Sequence, residues 1–465
     1  MANIATQDIK NLQLLAGGSY PIVGLRISKA INSLPVCTVT ISCGGTLNTN
    51  GTITEPSFPS LDTQAKVVAT VGGATTTLFS GYIATEVTDT SSTHETIKSY
   101  KTFRLGSATE YLDCIPPASV AYLDNTYNGN ALLQQGTLIA SNASKRALNA
   151  LNTKKAMAKQ ANVTSLILTA AQQANDNYET IGKLTISKYI TGDNIKLNIP
   201  VEATYDGIAG LLTSYVTQGL NYFQIIYHAC MELGLALVPI MHNGVDMLCI
   251  KNRPAWCSDN MQTLSIAEYS GIHSNYSSVA NKRVDGVVVP LLDDFKSIQS
   301  STGFVMYGEG FGAGGKPVIR TSDTLKKEAR FRLKCKLVPV PGWLKGLAKN
   351  GSFRTVAEAK AITEFANHAH QQSTVSAAIT YKKYLRLVNN IGDMIKLEVI
   401  KEGVIKDSGS SLSTEYMYGR LSAVDLSINI NNSKVSVACS CMLTHVVTPA
   451  IFNKYKISKS QMLFT

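Results

Sequence analysis

Residues Ile27–Ile41 read ISKAINSLPVCTVTI, in which a first apolar strand leads through a proline into a second. In the second strand Cys37, Val39 and Ile41 alternate with threonines, the period-2 pattern of a strand that buries one face. The whole range Pro21–Leu105 continues in this way, with short polar connections and glycine pairs at the ends of runs. We therefore predict an antiparallel β meander near the start of the chain.

The end of the chain shows a second meander, from Ser373 to Val447. There Ile395, Leu397 and Val399 alternate with charged residues, again as expected for a half-buried strand. A capping box, Thr-Val-Ala-Glu at 355–358, opens a predicted helix just before this region. The sequence thus predicts β domains at both ends, with mixed structure between them.

The middle of the chain contains one sharply defined unit. Asn221 is a good helix cap, and Gly234 is a good stop. The apolar stripe between them consists of Phe223, Ile226, Cys230 and Leu233. The dipeptide Asn243-Gly244 then separates two apolar runs, the strongest short hairpin signal. A helix followed by a hairpin is predicted here. The preceding range 131–177, rich in Ala, Gln, Asn and Lys, reads as weakly amphipathic helix.

The two meanders can be superposed on each other with one fixed offset, which places 78–105 on 416–443. Identities are few, and the alternation slips once, so a β-bulge is required. An aspartate, Asp62 or Asp393, precedes the upstream strand in each copy. The predicted repeat positions of the two tube-like domains are Gly81, Ile83, Leu105, Gly419, Leu421 and Leu443.

These patterns define a fold class of α+β, mostly β, with two tube-like antiparallel β-barrel domains at the chain ends and a mixed α/β middle. The predicted divisions are a first tube-like β domain at 1–115, a helical and strand insertion at 116–202, and a helix-hairpin module at 203–283. A strand-rich connector that ends in a capped helix follows at 284–372, and the second tube-like β domain occupies 373–465.

Composition narrows the function classes. The formal charge is +11, but the 43 Lys and Arg residues are spread thinly, which favours solvated faces over a dedicated nucleic-acid surface. The nine cysteines form no CxxC pair, so a zinc ribbon has little support. We expect no secretory signal and no membrane insertion, because no basic-then-apolar leader and no long apolar run occurs. The cysteine pattern fits a protein made in a reducing cytoplasm.

Motifs for catalysis are weak. Gly310–Gly315 fits G-x-G-x-x-G, yet a strand-like run follows it rather than the required helix. His368 and His370 lie two apart and would point to different sides of a helix, unlike an i, i+4 metal pair. His228 is interpreted as a residue at the boundary of the apolar side of its helix. Asp293 and Asp294 are adjacent in the sequence, and the side chains of adjacent residues normally point apart. We predict no catalytic, cofactor-binding or metal site, and no enzyme.

Taken in order, the elements resemble the baseplate hub proteins of contractile phage tails, which share a fold with the N-terminal part of type VI secretion spike proteins. The best points are the opening stretch, LFSGYI at 78–83, the helix-hairpin at 223–250 (FQIIYHACMELGLALVPIMHNGVDMLCI) and the helix at 355–372. The 131–177 region departs from the family pattern. No β-helix spike follows Thr465, from which we expect the spike to be a separate polypeptide.

The resemblance implies a structural role in the virion. Hubs of this family are homotrimers in which each chain supplies two tube-like domains, so that six domains match a sixfold tail tube above and hold a threefold central spike below. The implied partners are the tube protein, the spike protein and other baseplate proteins, with DNA passing through the lumen without sequence contacts. Assembly would occur in the host cytoplasm. Two alternatives stay open: a β-rich adhesin or receptor-binding tail component, and a hydrolase using Asp293, Asp294 or His228.

Overall fold

The structure is a computed structural model of the 465-residue chain. Its longer described stretches are residues 9–44, 57–71, 73–87, 98–110, 163–175, 186–193, 220–252, 261–267, 373–402, 412–431 and 434–456. Shorter described pieces are residues 46–47, 49, 53–54, 112, 195, 208, 211–212, 215, 286–288, 303–307, 318–321 and 335–339. All statements below concern these residues.

A first barrel forms near the start of the chain. Its six strands are β1 Ile9–Leu15, β2 Ser19–Ala30, β3 Val36–Gly44, β6 Gln64–Val71, β7 Ala74–Val87 and β8 Lys98–Ser107. Two short strands, β4 Thr46–Leu47 and β5 Ile53–Thr54, form a separate accessory hairpin. The strand order is β1-β6-β7-β8-β3-β2, and β1 pairs with β2 to close the ring. Every pairing in this barrel is antiparallel.

The alternation read from the sequence sets which side chains fill this barrel. In β3 the side chains of Cys37, Val39 and Ile41 are fully buried, while Thr38 and Thr40 between them are half-buried. Because side chains of a strand point alternately to its two faces, the apolar side chains pack in the core of the barrel and the threonines face outward.

The middle of the chain forms the predicted helix-hairpin. Its elements are α1 Val163–Asn175, a 3₁₀ turn Ile186–Lys188, β9 Ile190–Gly192, α2 Tyr222–Leu233, β10 Ala236–His242 and β11 Val245–Lys251. Asn221 caps α2, since its Oδ1 accepts the Gln224 N–H at 2.8 Å. Gly234 ends α2 in the left-handed conformation at φ +71°. Both hairpin residues, Asn243 and Gly244, have positive φ as a tight hairpin turn requires.

The buried side of α2 differs in one position from the predicted stripe. Ile226, Cys230 and Leu233 are buried as expected, but Tyr222 takes the place of Phe223, which is half-buried. The buried side is therefore wider than the predicted stripe, since Ile225 and Ala229 are buried as well.

A second barrel uses strands from the middle and the end of the chain. The remaining elements are β12 Gln262–Ala267, β13 Gly286–Val288, β14 Gly303–Tyr307, β15 Val318–Thr321, β16 Cys335–Pro339, β17 Ser373–Ile379, α3 Tyr381–Leu387, β18 Met394–Glu402, β19 Leu412–Asn431, β20 Lys434–Val447 and α4 Pro449–Tyr455. The barrel order is β19-β18-β12-β13-β17-β20, closed by β19–β20. Strands β14, β15 and β16 form a separate small sheet.

The fold class, α+β and mostly β with two barrels, is confirmed. The second barrel adds two details that the sequence pattern did not predict. It draws β12 and β13 from outside the range 373–465, and β12 pairs in parallel with both β13 and β18. The proposed domain boundaries themselves remain a prediction.

Helix α3 corrects the expectation of uninterrupted strand between Ser373 and Val447. Thr380 caps it, since the Thr380 hydroxyl accepts the Lys383 N–H at 3.3 Å. Tyr381, Tyr384 and Leu387 recur every three residues and are buried, so one side of the helix packs on the barrel. The Thr380 cap and the three-residue spacing are the sequence features that could have predicted this helix.

Candidate functional site: the seam between the barrels

The two barrels share one continuous twelve-stranded sheet. They join where β2 pairs with β19 in antiparallel register over seven residue pairs, from Gly24↔Asn429 to Ala30↔Ala423. Ile27 lies opposite Leu426, and both side chains are fully buried. Each strand also closes its own barrel, because β2 pairs with β1 and β19 pairs with β20. The barrels are thus fused by main-chain hydrogen bonding, which leaves no free strand edge at the seam.

The outer surface of the seam is polar, and most of its side chains are small. The polar residues that alternate with the buried ones, and are partly or fully exposed, are Arg26, Ser28, Thr38, Thr40, Arg104, Asp425, Ser427, Asn429, Ser436 and Ser440. The Thr40 and Thr102 hydroxyls lie 2.9 Å apart and hydrogen-bond across β3 and β8. The strip β8-β3-β2-β19-β20 therefore presents a hydroxyl-rich sheet face across both barrels.

The six predicted repeat positions lie in two β-hairpins with matching register. Ile83 of β7 lies opposite Leu105 of β8, and Leu421 of β19 lies opposite Leu443 of β20. All four side chains are fully buried. In each hairpin the strand pairing shifts directly after this residue pair. The shift lies between Ile83 and Thr85 in the first hairpin and between Leu421 and Ala423 in the second. The two hairpins thus share one register shift, and the second hairpin has a further shift between Tyr418 and Arg420.

The two glycines of the repeat lie two residues before these bulges, where the hairpin strands approach closely. A Cβ at Gly81 would overlap the carbonyl oxygen of Gly106, and a Cβ at Gly419 would lie 2.8 Å from Val446 Cγ2. Glycine is required at Gly81 because the obstacle is main chain, whereas at Gly419 it is a side chain.

The strand entering each hairpin is held in the same way. The Asp62 N–H donates to Ile83 O at 2.9 Å, and the Ile83 N–H donates to Thr63 O at 3.0 Å. In the second barrel, the Gly392 N–H donates to Leu421 O at 2.7 Å, and the Leu421 N–H donates to Asp393 O at 2.9 Å.

These bonds align Asp62 with Gly392, so the equivalence differs by one residue from the Asp62–Asp393 match read from the sequence. Both Asp62 and Gly392 have positive φ, +61° and +89°. The backbone conformation, accessible to Asp and to Gly, is what the two positions share.

A buried ion pair links the seam to the helix-hairpin. The Lys29 ammonium of β2 bonds the Asp246 carboxylate of β11, and neither side chain is exposed to solvent. Asp246 also exchanges two hydrogen bonds with Ser80 of β7: its Oδ2 accepts the Ser80 N–H, and its own N–H donates to Ser80 Oγ, both at 2.8 Å. Burial raises the pKa of Asp246 above its ordinary value, against the opposing effects of Lys29 and the Ser80 N–H.

Sequence reasoning missed this pair, although a signal was present. Lys29 follows Leu25 and Ile27 in the inward-facing phase of β2, so a charge stands where the alternation demands an apolar side chain. A lysine in that phase requires a buried partner, which only the folded chain supplies.

Two asparagines hold the outer edge of β10. Asn32, at φ +59°, lies in the turn after β2. Its N–H donates to Leu237 O at 2.7 Å, and its Oδ1 accepts the Leu237 N–H at 2.8 Å. Asn389, in the loop after α3, accepts the Met241 N–H at 2.9 Å. The hairpin edge is thus capped from both barrels.

The thiols and phenols near the seam are kept neutral. Burial raises the pKa of Cys37 well above its ordinary value, and it raises the pKa of Cys439 and Cys441 to about 12. Burial also raises the pKa of Tyr384, with the nearby Cys439 and Asp246 adding to the effect. Because a thiolate is the reactive form of cysteine, these thiols are not activated nucleophiles.

Of the residues considered for chemistry, only His228 lies in the described part of the structure. It is exposed on α2, with its ring 5.6 Å from the Tyr227 ring and 6.0 Å from the Tyr215 ring, centroid to centroid. Asp293, Asp294, His368, His370 and the Gly310–Gly315 segment lie outside the described residues, as does the predicted helix at 355–372.

Within the described ranges, no cluster of three or more His, Cys, Asp or Glu side chains is arranged to hold a metal ion. The helices of that same part of the chain include none with the length and apolar character needed to cross a bilayer.

Comparison with known proteins gives structural likenesses alone. No family model matches the sequence, and no curated protein matches it. Among solved structures, the prophage MuSo2 43 kDa tail protein from Shewanella oneidensis has 10% identity and a TM-score of 0.41, over 94% of this chain and 98% of that one. The tail protein from Neisseria meningitidis MC58 has 11% identity and a TM-score of 0.44, over 96% and 98%.

A third similar structure is the E. coli c3393 protein, described as a type VI secretion component with structural similarity to the T4 tail proteins gp27 and gp5. It has 7% identity and a TM-score of 0.35, over 94% of this chain and 76% of that one. All three TM-scores lie below 0.5. These neighbours are two tail proteins and a secretion-system component.

Proposed function

We propose that this chain is a structural protein of a phage tail, the central hub of the baseplate of a contractile tail. The observation that carries the proposal is the seam, in which two six-stranded barrels are fused side by side by β2 and β19. A chain that presents two similar barrels in one continuous sheet supplies two adjacent segments of a ring.

Three such chains close the ring. A homotrimer brings six barrels together, which matches the sixfold symmetry of a tail tube while keeping the threefold symmetry of a central spike. The repeat positions support this arrangement, because the pairs Ile83–Leu105 and Leu421–Leu443 occupy matching places in the two barrels. The partners in the proposal are the tube protein, the spike protein and other baseplate proteins, and its location is the virion tail after assembly in the host cytoplasm.

The polar face of the seam suits the wall of a channel. A surface of hydroxyl and amide side chains with few charges offers weak, sequence-independent contact to DNA, since strong binding would need the phosphate contacts of clustered Lys and Arg. In the proposed ring this face lines the lumen, and DNA passes it during ejection without being retained.

The test is assembly. Native mass spectrometry of the purified chain is expected to give a trimer of 50.0 kDa subunits. The trimer should bind the tube and spike proteins of the same phage, and removing metal ions with EDTA should leave the trimer unchanged. A monomer that binds neither protein would overturn the proposal. Binding to cell-surface glycan instead would favour a receptor-binding role.

A further inference from the structure

The seam alone does not fix how the two barrels are oriented. It is a single pairing of two strands, β2 and β19. Neighbouring strands of a sheet are rotated relative to each other by an angle that ranges from about 10° to 35°, so one strand pair leaves the angle between the barrels variable. A fixed angle between the barrels therefore requires contacts beside the seam.

The β10–β11 hairpin supplies such contacts to the first barrel. Asp246 of β11 is bonded to Lys29 at the seam and, reciprocally, to Ser80 on β7. A buried charge tolerates only the arrangement that satisfies it, so this group sets the position of β11 with little freedom. The hairpin turn also lies close to β7, since a Cβ at Gly244 would be 3.6 Å from Thr77 Oγ1.

The same hairpin is joined to the second barrel. Asn389, after α3, holds Met241 near one end of β10. Near the other end, Asn32 holds Leu237, and its neighbour Ile31 donates its N–H to Ser422 O of β19 at 2.9 Å. Leu237 and Met241 are four residues apart, about 13 Å along a strand.

The three attachment points do not lie on one line. Leu237 and Met241 are on β10, and Asp246 is on the neighbouring strand β11, opposite Met241. Between them the side chains of Ala236 and Val238 join the apolar core shared by both barrels. Asp246 and Leu237 hold the hairpin on the first barrel, and Met241 joins it to the second, so the Met241–Asn389 bond restrains rotation of the second barrel about the seam.

We propose that the β10–β11 hairpin is a brace that locks the angle between the two barrels. Its directional elements are the Lys29–Asp246–Ser80 group on one barrel and Asn389 on the other, with Asn32 at the junction. The brace acts within one chain, so the proposal does not depend on the hub function or on trimer formation.

The test measures the distance between the barrels by pulsed electron paramagnetic resonance. Spin labels are attached through ketone-bearing noncanonical residues at Thr85 of the first barrel and Ser436 of the second, both exposed. This chemistry avoids the native cysteines, and dilution with unlabelled protein removes distances between chains. The unmodified brace is expected to give one narrow distance distribution.

The double variant Asn32→Gly/Asn389→Ala, called the cut variant, removes two hydrogen-bond acceptors of the brace. Glycine tolerates the positive φ of Asn32 and keeps its N–H, so only the side-chain acceptor is lost. The matched control is Asn11→Gly with Asn390→Ala. Asn11 also has positive φ, +53°, and is an exposed residue of β1, outside the β10–β11 hairpin. Asn390 bonds its own helix through Arg386 O.

The cut variant is expected to broaden the distance distribution, and Asn389→Ala alone is expected to broaden it less. The control variant should match the wild type. A distribution as narrow in the cut variant as in the control would refute the brace. Native mass spectrometry of the same variants tests the trimer separately, so a failure of one proposal is distinguishable from a failure of the other.

Discussion

Lys29 and Asp246 are 217 residues apart in the sequence and form an ion pair whose side chains are both fully buried. The pair lies where β2 leaves the first barrel and meets β19 of the second. It therefore connects three parts of the chain, the first barrel, the seam and the helix-hairpin. In this buried site the attraction between the two charges and the Ser80 hydrogen bonds offset part of the cost of removing both charges from water, so removing either partner leaves a buried, uncompensated charge.

Removing one member of this pair should destabilise the fold strongly. Lys29→Met leaves the Asp246 carboxylate buried without its cation, which costs about 3–5 kcal/mol in the free energy of unfolding. The double variant Lys29→Met/Asp246→Asn should recover most of that loss, because no unpaired charge remains and the amide oxygen still accepts the Ser80 N–H. Urea denaturation measures both.

The control for this prediction is the partly exposed pair Lys101–Glu86, 2.9 Å apart with side chains 25% and 35% exposed. Glu86→Gln should change stability by less than about 1 kcal/mol, since exposed ion pairs contribute little. If Lys29→Met were as mild as Glu86→Gln, the buried pair would not be coupled to the fold.

The equivalent positions Ile83 and Leu421 should respond alike to truncation. Each is fully buried beside a bulge and opposite a buried leucine. Replacement by alanine should cost about 2–5 kcal/mol at either site, through lost burial and the cavity left behind. Val87, which is 48% exposed, serves as the control. A large loss at one site and none at the other in chemical denaturation would argue against equivalent roles.

Three glycine substitutions should rank in a fixed order. Gly81→Ala places a Cβ onto the Gly106 carbonyl, a main-chain obstacle that cannot move without disturbing β8, so it should be the most damaging. Gly419→Ala meets Val446 Cγ2 at 2.8 Å and should cost less, because a side chain can shift. Gly44→Ala, with nothing within 4 Å of the new Cβ, should be near neutral.

Thermal unfolding, monitored by circular dichroism, measures the ranking of the three variants. Equal melting temperatures for Gly81→Ala and Gly44→Ala would contradict the close approach of β7 and β8.

The thiols Cys439 and Cys441 should resist alkylation in the folded protein. Burial raises the pKa of each from 9.0 to about 12, so little thiolate exists at pH 8–9 and the sulfur is also shielded. Peptide mass spectrometry after iodoacetamide treatment should find both residues unmodified until urea unfolds the chain. Rapid labelling under native conditions would contradict the burial of β20.

The same pKa shifts have a consequence for stability. Above pH 9.0 the unfolded chain loses thiol protons that the folded chain keeps until about pH 12, so the unfolded state binds fewer protons in that window. Stability conferred by the neutral buried thiols is therefore present below pH 9.0 and falls as the pH rises towards 12. Replacing both cysteines by alanine should flatten this alkaline decline in urea midpoints.

The local signals in the sequence determined much of the fold. Alternation in Cys37, Val39 and Ile41 predicts the strand and its buried face, because side-chain direction in a strand follows from chain geometry alone. Asn221, Gly234 and Asn243-Gly244 predict the helix-hairpin for the same reason, since caps and turns depend on the few residues that form them. The repeat of pattern also predicts equivalent positions for Ile83 and Leu421 in their hairpins.

What only the tertiary structure decided is how these parts are joined. Strand β12 enters the second barrel in parallel, Gly392 rather than Asp393 matches Asp62, and Lys29 finds Asp246 across 217 positions. Each of these depends on hydrogen bonds or charge neutralisation between residues far apart in the chain, and local periodicity carries no information about such partners. The two barrels could be read from the sequence, but the seam that fuses them and the hairpin bonded to both belong to the folded chain.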